Sequence, residues 1–252
     1  MSKILFFSLV LSLFAVTPPK PYIVDASGNP TAPIVRSLCG SDDMIAMLNA
    51  SSALQQMGTP VGILTIHMGS STGKCSGTLI SKNHFLTAKH CEADCDQLDV
   101  TFGYLSRGRA EKFKCKKIIE KGDDAYENDY MIFELEGNPG IGWGWYNVSD
   151  RPLEKNRELL IIHHPMGAPM KISRDCYLSE QGEKFLHHRC DTLPGSSGSA
   201  IMDPDYAKPE NSRIVGVHTL GGCNSSQSSF NSGPAMRHLV SISPLLKSLA
   251  KK

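Results

Sequence analysis

Three short segments of this 252-residue chain carry side chains suited to acyl transfer. In Gly195-Ser196-Ser197-Gly198 a serine stands in a glycine-flanked turn that exposes its hydroxyl. Glycines there also let successive backbone N–H groups face one side and cradle an anion. A serine hydroxyl attacks a carbonyl only when a base takes its proton, and an imidazole titrating near neutrality suits that task. His90, in Thr87-Ala88-Lys89-His90-Cys91, supplies the imidazole. Its second nitrogen needs an acceptor, which fixes the tautomer and offsets the charge the ring gains. Asp129 heads the apolar run 130–135, and such a strand can bury its carboxylate beside an imidazole. Asp123 and Asp124 are rivals, but Gly122-Asp123-Asp124 reads more simply as a solvated turn. His90, Asp129 and Ser197 thus form a candidate base, orienting acid and nucleophile.

The elements that must bring them together read as strands. Short apolar runs with β-branched residues, broken by Gly, Asn, Ser and Pro, fall at 61–66, 77–80, 84–87, 98–102, 130–135, 159–162 and 214–217. A weak helical pattern covers 43–57. Only the tail, 235–250, holds apolar residues at clear helical spacing, interrupted by Pro244. Many short strands and one terminal helix predict an all-β chain with a closed architecture. With 40% hydrophobic and 20% charged residues, a disordered or collagen-like chain is excluded. A net charge of +1 supplies no bulk field for nucleic acid or an anionic membrane.

Lys3 followed by the apolar run 4–16 is too short to span a bilayer and reads as a secretory signal, residues 1–16. Residues 17–36 are rich in Pro, Gly and small polar residues and read as a pro-segment or linker. Residues 37–252 then form the functional domain. No later stretch could cross a membrane, and eight cysteines fit an oxidising periplasmic or extracellular destination.

With their flanking residues, the three segments resemble the trypsin-like, chymotrypsin-fold serine peptidases, and most of all their secreted bacterial glutamyl endopeptidase-like branch. Thr87-Ala88-Lys89-His90-Cys91 is similar to that family's histidine motif, with Lys89 where a second alanine is commoner. Gly195 to Ser199 resembles its serine motif. His163-His164-Pro165-Met166-Gly167, Val217 to Gly222 and Leu38 to Met44 also resemble segments of that branch. The resemblance covers roughly 37–250. It implies two six-stranded antiparallel β-barrels, a boundary near 140–155, and catalysis by His90, Asp129 and Ser197 in the cleft between them. It makes the backbone N–H groups of Gly195 and Ser197 the oxyanion donors. Animal digestive members carry an Asp directly before the nucleophile, which pairs with a new α-amino group; here Ser196 stands there. That ion-pair switch is therefore absent, local turn geometry must hold the loop, and a mature chain beginning after Arg36 is expected.

Asp191 stands six residues before Ser197, where trypsin-type enzymes bind Lys or Arg, yet similar glutamyl enzymes also carry Asp-Thr there. His218 matches the residue that binds a substrate carboxylate in those enzymes, and Thr192 adds a hydroxyl. An acidic residue before the scissile bond is the favoured specificity, and one of Asp191 and His218 must then be turned away. The resemblance pairs Cys75 with Cys91 around His90, a loop closure contributing about 3 kcal/mol. Cys176 and Cys190 flank a plausible hairpin. Cys95 with Cys115 and Cys39 with Cys223 are the pairs that remain. No metal is expected, because adjacent residues in His163-His164 and His187-His188 point apart on a strand and no metal-ligand spacing occurs. These four histidines read as structural or surface residues. Asn49, Asn147 and Asn224 head glycosylation sequons, inert in a bacterial source. The expected partners are peptide or protein substrates, with no nucleic acid, no cofactor, no membrane after signal removal, and a monomeric state. A proteolytically silent binding module on the same fold and an esterase are the alternatives.

Overall fold

The computed structural model describes residues 19–105 and 108–250, so the signal reading of residues 1–16 lies outside the described residues. The chain enters as β1 (Tyr22–Val24), within the segment read as a pro-segment or linker. A short β2 (Ile45–Ala46) and the helix α1 (Ser52–Met57), capped by the Ser51 hydroxyl, follow. Six strands come next: β3 (Val61–Met68), β4 (Ser71–Leu79), β5 (His84–Thr87), β6 (Leu98–Phe102), β7 (Glu111–Lys121) and β8 (Met131–Leu135). They pair in the order β4-β3-β6-β7-β8-β5, and β5 returns to β4, closing a barrel. Inside it pack Leu64, Leu79, Phe85, Phe102 and Phe133. β1 adds to the outer edge of β4, pairing Tyr22 with Lys74.

One helical turn, α2 (Gly140–Trp143), and β9 (Asn147–Val148) lead into the second half. There β10 (Glu158–His163), β11 (Lys171–Gln181), β12 (Phe185–His188), β13 (Ala200–Asp203), β14 (Arg213–Val217) and β15 (Asn231–Pro234) pair in the order β15-β12-β11-β10-β13-β14. This sheet closes more weakly than the first: β14 meets the chain beyond β15 through the single bridge Gly216–Ala235 rather than a ladder. The β10 run is continuously apolar because both its faces are covered. Leu159 and Ile161 face the interior of the second sheet, while Leu160 and Ile162 join a core shared with Val61, Leu86 and Ile132 of the first. That shared core fixes the two halves against each other.

The tail forms two helices rather than one. α3 (Met236–Ile242) stops before Pro244, which has no N–H to donate and opens α4 (Pro244–Leu249) under a Ser243 cap. The weak helical pattern at 43–57 yields only α1, a single turn at Met47–Asn49 and β2. Disulfides join Cys39 to Cys223, Cys75 to Cys91, Cys95 to Cys115 and Cys176 to Cys190. Among the described residues no helix is long and apolar enough to cross a membrane.

Candidate active site

The β5–β8 ladder explains why residues 39 apart meet. Thr87, the last residue of β5, lies opposite Met131, the first of β8. His90, three residues on, and Asp129, two residues before, therefore emerge side by side at one end of the barrel. Asp129 is fully buried and grips His90 twice: Oδ1 accepts the His90 backbone N–H at 3.0 Å, and Oδ2 lies 2.7 Å from Nδ1. The second contact places the Nδ1 proton toward the carboxylate and leaves Nε2 as the ring's basic atom. Nε2 is buried and has no hydrogen-bond partner, so the ring and the Ser197 hydroxyl are not joined in this structure. Asp124 instead accepts the backbone N–H groups of Tyr126 and Asn128, and Asp123 accepts from the Asn128 side chain. These two acids shape the turn that delivers Asp129. The Cys75–Cys91 bridge ties β4 to the residue after His90.

Ser197 sits on the loop leading into β13. Its carbonyl accepts the Ser76 backbone N–H at 2.8 Å, which joins the loop to β4. Gly198 has φ +87°, and a Cβ there would fall 2.1 Å from Thr87 Oγ1 and 2.8 Å from Ala88 N. Only glycine lets the serine loop press against the residues that carry His90. Gly195, with φ +94°, is pressed likewise against 164–167.

Two anchored carbonyls orient the loop's amides. Pro194 C=O accepts from Met166 N at 2.6 Å, and Ser196 C=O accepts from Ser199 N and Oγ at 3.0 and 2.6 Å. In a trans peptide the N–H opposes the C=O, so the N–H groups of Gly195 and Ser197 point the other way. Among the described residues, neither donates to a protein group.

The structure resolves the conflict between Asp191 and His218. Asp191 is buried and turned away: Oδ1 accepts the Cys39 N–H at 2.6 Å and Oδ2 the Asp43 N–H at 3.3 Å. Burial and the nearby Asp191 carboxylate push the Asp43 carboxyl up. His218 lines a cavity of about 520 Å³ together with Ser197 and Thr192, and no Asp or Glu is among its described lining residues. Residues of the 19–36 segment, including Tyr22, Ile34 and Val35, form its other wall. Thr192 Oγ1 accepts from the Asn231 side chain at 3.2 Å.

Behind His218 stands His188, a residue whose sequence context gave no signal beyond its pairing with His187. His188 Nδ1 accepts the Cys190 N–H at 3.2 Å, so its proton is on Nε2, which lies 3.2 Å from His218 Nδ1. His218 Nδ1 is then the acceptor, and its own proton is on Nε2. Burial holds His218 down to about 3, His164 down to about 4, and His163 and His188 well below the ordinary histidine value. All four are buried, so of the two readings given to the His-His pairs, structural or surface, His163, His164 and His188 take the structural one, while His187 is partly exposed.

The unfolded chain protonates these histidines below about pH 6.5 while the folded chain does not, so stability is present above that pH and lost on acidification. The melting temperature is expected to fall steadily from pH 7 to pH 4. A flat profile across that range, with carboxylate titration accounted for, would contradict the buried neutral cluster.

Comparison with known proteins gives the fold and the family. No curated protein sequence matches the chain. A solved structure of a Glu endopeptidase in complex with MPD superposes with a TM-score of 0.57 at 20% identity, covering 79% of this chain and 93% of its own. The likeness extends to the fold. The profile of the family described as lysyl endopeptidase, C-terminal domain, matches residues 39–233, which takes in His90, Asp129, Ser197 and His218. The chain belongs to the lysyl endopeptidase C-terminal domain family, within the chymotrypsin-fold serine peptidases.

Proposed function

We propose that this serine endopeptidase is exported, works through His90, Asp129 and Ser197, and cleaves after acidic residues once residues 1–36 are removed. The observation that carries the catalytic part is the double grip of buried Asp129 on His90, beside a serine loop with two unspent amides. As substrate fills the cleft, His90 Nε2 takes the Ser197 proton while Oγ attacks the peptide carbonyl. The Gly195 and Ser197 N–H groups hold the oxyanion, typically about 3–4 kcal/mol of transition-state stabilisation per donor. The imidazolium, held by Asp129, protonates the leaving amine, and water then resolves the acyl-enzyme by the reverse proton path. Four disulfides fit an oxidising compartment and support export.

The two matched names point to opposite substrates, lysyl and glutamyl. The commitment of Asp191 to backbone N–H groups favours the acidic one: a lysine side chain would find no carboxylate in this cavity, whereas a glutamate would meet the His218 Nε2–H. Residues 19–23 and 31–35 line the same cavity and so stand in the substrate's path. Arg36 is exposed while Ser37 is buried against Thr192, whose carbonyl accepts the Ser37 N–H at 3.2 Å. Cleavage after Arg36 would turn that amide into an ammonium at the cavity wall, a further attraction for an acidic side chain.

Limited trypsin digestion after Arg36 is therefore expected to raise hydrolysis of casein at least tenfold. Mass spectrometry after trypsin removal should find new peptides ending in Glu or Asp. Peptides ending in Lys or Arg would overturn the acidic reading, and no digestion by nicked protein would overturn the peptidase reading.

A further inference from the structure

The residue before the proposed nucleophile is held by a buried histidine that no step of the chemistry uses. Ser196, His163 and Ser173 are all fully buried. Ser196 Oγ lies 2.8 Å from His163 Nδ1 and accepts the Leu193 N–H at 3.2 Å. On the far side of the ring, Nε2 lies 3.3 Å from Ser173 Oγ, which donates to the Asp191 carbonyl at 2.7 Å. The proton positions follow by exhaustion. Ser173 spends its only hydrogen on Asp191, so it accepts from His163 Nε2–H; Nδ1 is then bare and accepts from the Ser196 hydroxyl. Every donor and acceptor in this chain of bonds is matched, with no net charge. Burial holds His163 well below its ordinary value, in keeping with a neutral, accepting ring.

The placement of this chain of bonds gives it consequence. Ser196 lies between the two peptide units whose N–H groups face the cleft. Among the described residues, its bond to His163 is the one side-chain-to-side-chain bond made by 193–198. Other anchors are the Pro194, Gly195, Ser196 and Ser197 carbonyls, held by Met166, Ser76, Ser199 and Ser76 respectively, and two backbone N–H groups, Ser196 to the Leu193 carbonyl and Gly198 to the His218 carbonyl. Those are backbone anchors, whereas the Ser196–His163 bond ties a side chain of the loop to β10 and, through Ser173, to β11. Misplacing an oxyanion donor by about 1 Å can cost about 100-fold in rate.

We infer that His163 and Ser196 are positioning residues that hold the 193–197 loop in its donating shape through a neutral bond, with no charged partner and no new chain terminus. The inference rests on the reading of Ser197 as nucleophile. It makes the loop's shape independent of cleavage after Arg36, so removal of residues 1–36 opens the cleft rather than building the oxyanion site.

The test uses protein nicked after Arg36, with active sites counted by fluorophosphonate titration and the preferred peptide as substrate. Ser196→Ala is expected to lower kcat per titrated site by about 10–100-fold while KM stays within about threefold, because donor placement matters in the transition state. A second pair separates positioning from mere packing. His163→Asn keeps an acceptor near the Nδ1 position, facing Ser196; His163→Gln keeps a polar group near Nε2, facing Ser173. Both lose the ring, so both should melt at lower and similar temperatures, but Asn should retain a several-fold higher kcat than Gln. Wild-type kcat in Ser196→Ala, or equal kcat in the two His163 variants, would overturn the inference. If Ser196→Ala does not fold, the His163 pair decides. A wild-type protein that neither labels nor cleaves would instead bring down the nucleophile reading itself.

Discussion

Replacing Ser197 with alanine is expected to lower kcat by about 10⁴–10⁶-fold with little change in KM or melting temperature, since one exposed-side oxygen is lost from a loop held by other bonds. His90→Ala should cost about as much, and the double variant scarcely more than either, because a nucleophile and its base act as one unit. Asp129→Asn should lower kcat by about 10⁴-fold, the low end of that range, because the ring keeps its place while its tautomer is wrong. Steady-state kinetics on a chromogenic peptide measures all four. Additive losses, or an alanine variant at position 197 with a few per cent of wild-type turnover, would show that the chemistry runs elsewhere.

The second large effect falls on substrate choice. His218→Ala is expected to reduce kcat/KM for a glutamate-containing substrate by about 10²–10³-fold, since a buried carboxylate would lose its charge-assisted partner. A matched substrate with alanine at that position should change by less than about fivefold. Asp191→Asn should leave the order of preference intact, because its carboxylate faces Cys39 and Asp43 rather than the cavity. A panel of substrates differing only in the residue before the scissile bond separates these outcomes. Loss of a lysine preference in Asp191→Asn would reverse the assignment of the pocket.

Much of the scaffold could be read from the residues because strands buried on both faces write themselves as continuous apolar runs. β6 falls where 98–102 predicts it, and β10 and β14 extend the runs at 159–162 and 214–217 by a residue or so. β7 escaped because its outward face is charged: Lys112, Lys114 and Lys116 are exposed, and a bulge after Cys115 breaks the alternation. The tail's helical spacing was legible, but its split at Pro244 turns on a missing N–H and a serine cap that spacing does not reveal.

The site divides the same way. His90, Asp129 and Ser197 stand in segments whose residue types announce their chemistry. The orientation of Asp191 could not be read, because it depends on backbone N–H groups about 150 residues away in the chain. The roles of His163 and His188 were hidden for a related reason. Each sits in a His-His pair with no ligand spacing, and each finds its partner on a different strand or loop, Ser196 and His218 respectively. The uncharged Ser196 pointed only to a loop held by local turn geometry, whereas the structure adds a long-range bond from Ser196 to His163.

The most direct measurement is covalent. Protein nicked after Arg36 is treated with a fluorophosphonate, digested and mapped by mass spectrometry. The account predicts a single adduct on Ser197, formed at a rate that falls steeply in His90→Ala. An adduct on another residue, or none under conditions where the protein is folded, would contradict it.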